Sequence, residues 1–203
     1  AGGNVNTGNM NIGIGYNAFH NAATGDNNIA IGTNAGDAVT SGTLNILIGK
    51  NTGGAINSGH ENVAMGANAL LSATTAGYSV AIGNSAMAGA VTTGDSNTAV
   101  GASTLYYNTS GHENVGVGHF AGFYNVTGEN NTYVGYSAGK GASGQSNSHN
   151  TGVGHNSLNS ITTGNENVAY GRNAGRDLTT ASGSVFLGQG AGRDLTTGNQ
   201  NIA

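Results

Sequence analysis

Apolar and polar positions along this chain come in short bursts, and the bursts keep time. The stretch Asn28-Ile29-Ala30-Ile31-Gly32 returns in variants closed by Gly15, Gly32, Gly49, Gly66, Gly83, Gly101, Gly118, Gly135, Gly154, Gly171 and Gly188. Successive gaps are 17, 17, 17, 17, 18, 17, 17, 19, 17 and 17 residues. A fixed period of this length marks a solenoid, in which each repeat stacks on the next. With the closing glycine as position zero, positions −1 and −3 are dominated by β-branched residues, as in Ile29 and Ile31 or Val115 and Val117. Position −2 between them is mostly Ala or Gly, with Leu47, Tyr133 and Phe186 as exceptions. Residues two apart share a strand face. Each burst therefore predicts a short strand with one apolar face and one small face. The small face is expected against a close neighbour, either the same coil or a second chain.

The polar positions are just as regular. Position −4 is Asn11, Asn28, Asn45, Asn62, Asn97, Asn114, Asn131, Asn150 and Asn167, with Ser79 and Ser184 in the other two copies. At the 4.7–4.9 Å spacing of paired strands, stacked Asn side chains can bond up and down as a ladder. Gly25, Gly42, Gly59, Gly94, Gly111 and Gly128 recur seven residues before a closing glycine, each after Thr or Ser, which is turn chemistry. A later apolar residue (Val39, Ile56, Ile161, Leu178, Leu195) suggests a second short strand. The pattern predicts an all-β parallel β-roll or β-solenoid of about twelve 17-residue rungs, a rod of roughly 55 Å. Residues 1–203 read as one repeat array, a piece of a longer fibre. A bulge is expected near Gly89 to Gly94 and a loop insertion near 139–150.

Composition narrows the class. Glycine supplies 38 residues, only 7% of the chain is charged, and four Phe are too few for an ordinary globular core. Burial must then be collective, through small side chains in register. A net charge of −4 with five Lys and Arg leaves no basic surface for nucleic acid. No apolar run approaches the ~20 residues of a membrane helix. Without cysteine there are no disulfides and no thiolate metal sites.

Little in the sequence points to catalysis. Asp95, Glu113 and Glu129 fall on three consecutive rungs, within the ~5–9.5 Å range that glycosidases use. They sit on the Thr/Ser-Gly corner, however, where solvated turn residues are expected. His60 and His112 share a column three rungs apart, too far for one metal ion. His119 and His155 share position +1 two rungs apart, with Tyr136 between them. No catalytic residue, metal site or cofactor is expected. Tyr106 and Tyr107 recur as Phe123 and Tyr124 one rung later, near Phe120. This is the candidate surface-binding patch, for sugar rings or a partner surface.

The beat Ser79-Val80-Ala81-Ile82-Gly83, with Ala86 three positions on, resembles the heads of trimeric autotransporter adhesins. The longer rung with Thr-Gly-x-x-Asn (Thr24 to Asn28, Thr93 to Asn97, Thr127 to Asn131) is similar to repeats of bacteriophage tail-fibre proteins. The resemblance covers essentially the whole chain. It implies three parallel β-rolls around one axis: an extracellular homotrimeric fibre segment, on a virion or a bacterial surface. Such a segment would present loops to a cell-surface glycan or protein receptor, without membrane insertion. Two rival readings follow from other columns. Thr24, Ser41, Ser58, Thr75, Thr93, Ser110 and Thr127, with Thr7 before them, form a hydroxyl column that would suit an ice-binding solenoid. The acidic corner would suit a polysaccharide-cleaving spike.

Overall fold

A computed structural model of the chain describes residues 8–21 and 24–203; Thr7 of the hydroxyl column lies outside them. The chain is an all-β parallel solenoid of about ten turns. Among the described residues its eleven strands are β1 (Ile12–Ile14), β2 (Ile29–Ile31), β3 (Ile46–Ile48), β4 (Val63–Met65), β5 (Val80–Ile82), β6 (Thr98–Val100), β7 (Val115–Val117), β8 (Thr132–Val134), β9 (Thr151–Val153), β10 (Val168–Tyr170) and β11 (Val185–Leu187). They form a single sheet in sequence order. The period is the register: Ile29 pairs with Ile46, and Val63 with Val80. The irregular gaps are absorbed between strands, so Val80 still pairs with Thr98 and Thr132 with Thr151. In the 18-residue step Val91 turns outward while Thr92 is buried. Rungs counted from sequence number about twelve. The chain beyond β11 contributes only a single bridge, Val185 to Ile202, instead of a full strand.

The small face is the inside. Position −2 points into the coil, where Ala30, Leu47, Ala64, Ala81, Ala99, Tyr133, Ala169 and Phe186 are fully buried. They meet position +3 (Ala18, Ala35, Ala69, Ala121) and position +7 (Val39, Ile56, Ile161, Leu178) across a narrow core. The core fits by alternation of bulk. Where −2 is Leu47, Tyr133 or Phe186, position +4 of the same rung is Gly53, Gly139 or Gly192. A Cβ at those glycines would fall 2.9, 2.2 and 2.2 Å from the large side chain. Where −2 is small, +4 is often large instead, as in Phe19, Leu70, Met87, Leu105 and Leu158, all buried. Tight packing of this kind leaves no room for two bulky groups in one layer.

No second strand occurs among the described residues; this corrects the sequence expectation. After each strand the backbone enters the left-handed region at +2 (Asn34, φ 55°; Asn51, φ 55°) and often again at +4 (Leu70, φ 49°; Leu105, φ 48°). A chain that turns this often cannot run extended, and rungs are joined there by turn hydrogen bonds such as Gly36 N to Thr52 O at 2.9 Å. Asn tolerates this conformation better than most residues. Leucine does not, and its strain is offset by burial. The closing glycines from Gly15 to Gly171 are required sterically: a Cβ on Gly32 would lie 2.5 Å from the Gly49 carbonyl oxygen.

From Asn28 onward the Asn column is buried, and it is continuous across consecutive Asn rungs. Asn45 donates its backbone N–H and its Nδ2 to Asn28 Oδ1, both at 3.0 Å, and its Nδ2 also donates to Gly59 O at 2.8 Å. Asn62 repeats this on Asn45, Asn131 on Asn114, and Asn167 on Asn150. At the Ser79 interruption the hydroxyl accepts the Asn97 N–H at 3.3 Å. Position −4 thus supplies the donors and acceptors that the corner carbonyls and strand-entry amides need, where no water reaches.

Candidate functional site

The β-branched columns face outward. No residue of positions −3 and −1 is buried, and Ile14 at 57%, Tyr170 at 63% and Leu187 at 63% are mostly exposed. These columns hold only Ile, Val, Thr, Met, Tyr and Leu, with no charge. The result is a flat, uncharged strip running the length of the rod. Apolar patches beyond a few hundred Å² are unusual on a monomer and mark an interaction surface.

A second feature occupies another side of the coil. Position +4 is left-handed, so +5 and +6 swing out, and there four of the five aromatic residues singled out from sequence come together, with Phe120 joining them from position +2. Tyr106 stacks on Phe123 (centroids 5.2 Å, 15° between planes) and Tyr107 on Tyr124 (5.4 Å, 8°). Phe120 meets Phe123 edge-on at 5.0 Å. The two stacked pairs cover each other's faces, and a Cβ on Gly89 would fall 1.9 Å from Tyr106, so that ring lies against the preceding rung. Lys140 Nζ sits 5.8 Å from the Phe120 centroid, a cation–π contact.

The ring system extends further than those five residues. His119 stacks on Phe120 at 3.7 Å and meets Tyr136 edge-on at 5.7 Å; Tyr136 stacks on His155 at 5.1 Å. The three sit at position +1 of successive rungs, and that shared column was the available signal. Beyond His155 the belt opens into a groove of about 360 Å³ lined by His155, Asn156, Arg172, Asn173 and Arg176. Arg176 is committed to Asp177, with Nη2 to Oδ2 at 2.6 Å, and this hydrogen-bonded guanidinium holds the Asp177 carboxyl below the usual carboxylate range. Arg172 has no ion pair among the described residues.

The acidic corner is assembled differently from a glycosidase site. His112 Nε2 lies 2.6 Å from Glu129 and its Nδ1 3.7 Å from Glu113, so the imidazole stands between the two carboxylates. Asp95 Oδ1 accepts the Gly77 N–H at 2.7 Å. The groove beside them, about 490 Å³, is lined by Tyr78, His112, Glu113 and turn residues, and no large aliphatic side chain desolvates a carboxyl. No group of three His, Cys, Asp or Glu suited to a metal ion occurs among the described residues. No helix of the described residues is long and apolar enough to cross a membrane.

The most perturbed ionisable group is structural. Burial pushes the Tyr133 phenol well above its ordinary range, so it stays protonated and donates to Asn147 Oδ1 and, at 3.2 Å, to Asn131 Oδ1. Asn147 belongs to the segment 139–150. There Ala142, Ser143 and Gly144 are exposed, while Asn147 folds back to be buried against this phenol. The chain matches no protein-family model, no curated protein and no solved structure.

Proposed function

We propose that the chain is a structural and adhesive segment of an extracellular fibre, three copies of which pack through their outward sheet faces. The observation that carries this reading is the uncharged β-branched strip along all eleven strands, which no part of the described chain covers. At ~4.8 Å per strand the strip is roughly 50 Å long. Covering it on another copy removes apolar surface from water along the whole rod, at ~25 cal/mol per Å². Closed rotational symmetry hides every copy of the strip at once; the number three comes from the resemblance to adhesin heads and tail fibres. The rod then presents its sides, including the aromatic belt, to a cell surface. The reading is non-catalytic: the corner carboxylates are engaged by His112 and by backbone, and face open solvent.

Mass in solution tests the assembly. Three times the chain mass is expected, and Ile82→Asp combined with Val117→Asp should release single chains of unchanged circular dichroism, since both side chains point out of the coil. A wild-type chain that runs as a monodisperse monomer overturns the assembly.

A further inference from the structure

The belt ends in a polar wall whose chemistry selects a ligand. Tyr136 and His155 have covered one another's faces, so they offer solvent their edges, a phenol hydroxyl and imidazole nitrogens. Tyr136 is 48% exposed and both His155 and Arg172 are exposed. The amides beside them are free. In the same +2 column, Asn34 donates to Asn51 at 3.2 Å and Asn51 to Asn68 at 3.1 Å. Asn156 and Asn173 make no such side-chain bond to each other, although both line the groove at Arg172. An amide pair left out of its own ladder, next to a guanidinium without a counter-ion, is a set of donors and acceptors awaiting a partner.

We propose that the strip from His119 through Tyr136 and His155 to Arg172 binds an acidic polysaccharide laid along the rod. The rungs repeat at ~4.8 Å, about the advance of an extended β-linked hexose chain per sugar, so successive sugars meet successive rungs. Arg172 takes a carboxylate in a paired hydrogen bond, which a guanidinium does better than an ammonium. Asn156, Asn173 and the Tyr136 hydroxyl take sugar hydroxyls. Stacking of neutral sugars on open ring faces is disfavoured, because the rings stack on each other. A dense polyanion is disfavoured too: Arg176 is already paired with Asp177, and the whole chain carries a net charge of −4.

This proposal rests on the adhesive half of the fibre reading and is independent of the assembly half. The test is calorimetric or NMR titration of the chain, in whatever oligomeric state it adopts, with a hyaluronan hexasaccharide (β-linked, with a carboxylate on every second sugar), cellohexaose and short polyglutamate. Saturable binding of the hyaluronan hexasaccharide is expected, at least about tenfold tighter than either control. Arg172→Gln should weaken it about tenfold or more, the scale of one hydrogen bond to a charged group. Tyr136→Phe should weaken it less than Tyr136→Ala, and Lys50→Gln, which removes an exposed cation from the same column four rungs before His119, should leave it unchanged. Absence of saturable binding, equal binding of cellohexaose or polyglutamate, or indifference to Arg172→Gln overturns the proposal. Mass measured on the same sample separates the outcomes: a trimer that binds nothing removes this site and keeps the assembly, and a monomer that binds does the reverse.

Discussion

Replacing Asn114 by Ala removes one step of the buried ladder, and the neighbours determine the cost. The side chain donates to Asn97 Oδ1 at 3.2 Å and Gly128 O at 2.8 Å, and accepts the Asn131 N–H at 3.1 Å and its Nδ2 at 3.0 Å. Three of these partners keep another bond. Asn97 Oδ1 retains the Asn114 N–H, Gly128 O retains Asn125 Nδ2, and Asn131 Nδ2 retains Asn147 O. The Asn131 backbone N–H keeps nothing. One stranded buried donor costs about 1–3 kcal/mol, and each further net bond lost adds about 0.5–1.5 kcal/mol. The expected loss is roughly 2.5–7.5 kcal/mol, a large share of an ordinary domain's stability. Asn114→Ser should cost at least about 1 kcal/mol less, because a serine hydroxyl at this position can accept the next strand's N–H. Ser79 does so for Asn97 at 3.3 Å, and Ser184 for Asn201 at 3.1 Å. Urea unfolding followed by circular dichroism gives the totals, and amide exchange at Asn131 reads the stranded group directly. Equal destabilisation by Ala and Ser, or unchanged protection of the Asn131 amide in the Ala variant, would refute the account.

Three other variants probe the rest of the coil. Asn108 is fully buried with neither amide atom hydrogen-bonded, unlike Asn125 one rung on, in a column that holds Val39, Ile56, Ile161 and Leu178 on other rungs, so Asn108→Val should raise stability by about 1–3 kcal/mol in the same urea assay. Gly139→Ala should destabilise more than an exposed Gly→Ala change such as Gly144→Ala, because its Cβ would fall 2.2 Å from Tyr133; an equal effect on the unfolding midpoint would remove the bulk-alternation argument. Burial raises the Asp37 carboxyl above its ordinary value, against the opposing pull of a backbone hydrogen bond and His20. The folded state therefore disfavours the carboxylate, and that penalty is present above the raised value and fades as pH falls below the ordinary one. Asp37→Asn should stabilise the chain at pH 7, with the gap to wild type closing towards pH 3.

In-register stacking made most of the fold legible, because residues one period apart share one environment and repeat one chemistry. Columns −4 and 0 could be read for that reason. Which side of the strand faces inward was open, since β-branched residues suit either side; the answer follows from the narrow coil, which admits only Ala, Gly or one large residue per layer. The second strand failed on backbone conformation. Asn17, Asn34, Asn51 and Asn68 at +2 were a left-handed signal in plain view, but Leu70 and Leu105 at positive φ are set by burial and carry no local mark. For the site, Tyr106, Tyr107, Phe120, Phe123 and Tyr124 could be placed together from spacing. The belt's continuation could not, because His119 and His155 suggest a metal before they suggest rings, and the idle amides of Asn156 and Asn173 show only against the bonded ones of Asn34 and Asn51.

The alternation of bulk inside the coil also constrains how such an array can change length. Excising residues 50–66, a cut in perfect phase with the period, would splice Leu47 to a rung carrying Leu70 where Gly53 now stands, a position at which even a methyl group would come within 2.9 Å of Leu47. Excising 67–83 would instead join Ala64 to Met87, small against large, as the coil already tolerates. Shortening or lengthening is thus a matter of permitted junctions, and a unit copied from one place can be inserted only beside neighbours whose girth complements its own.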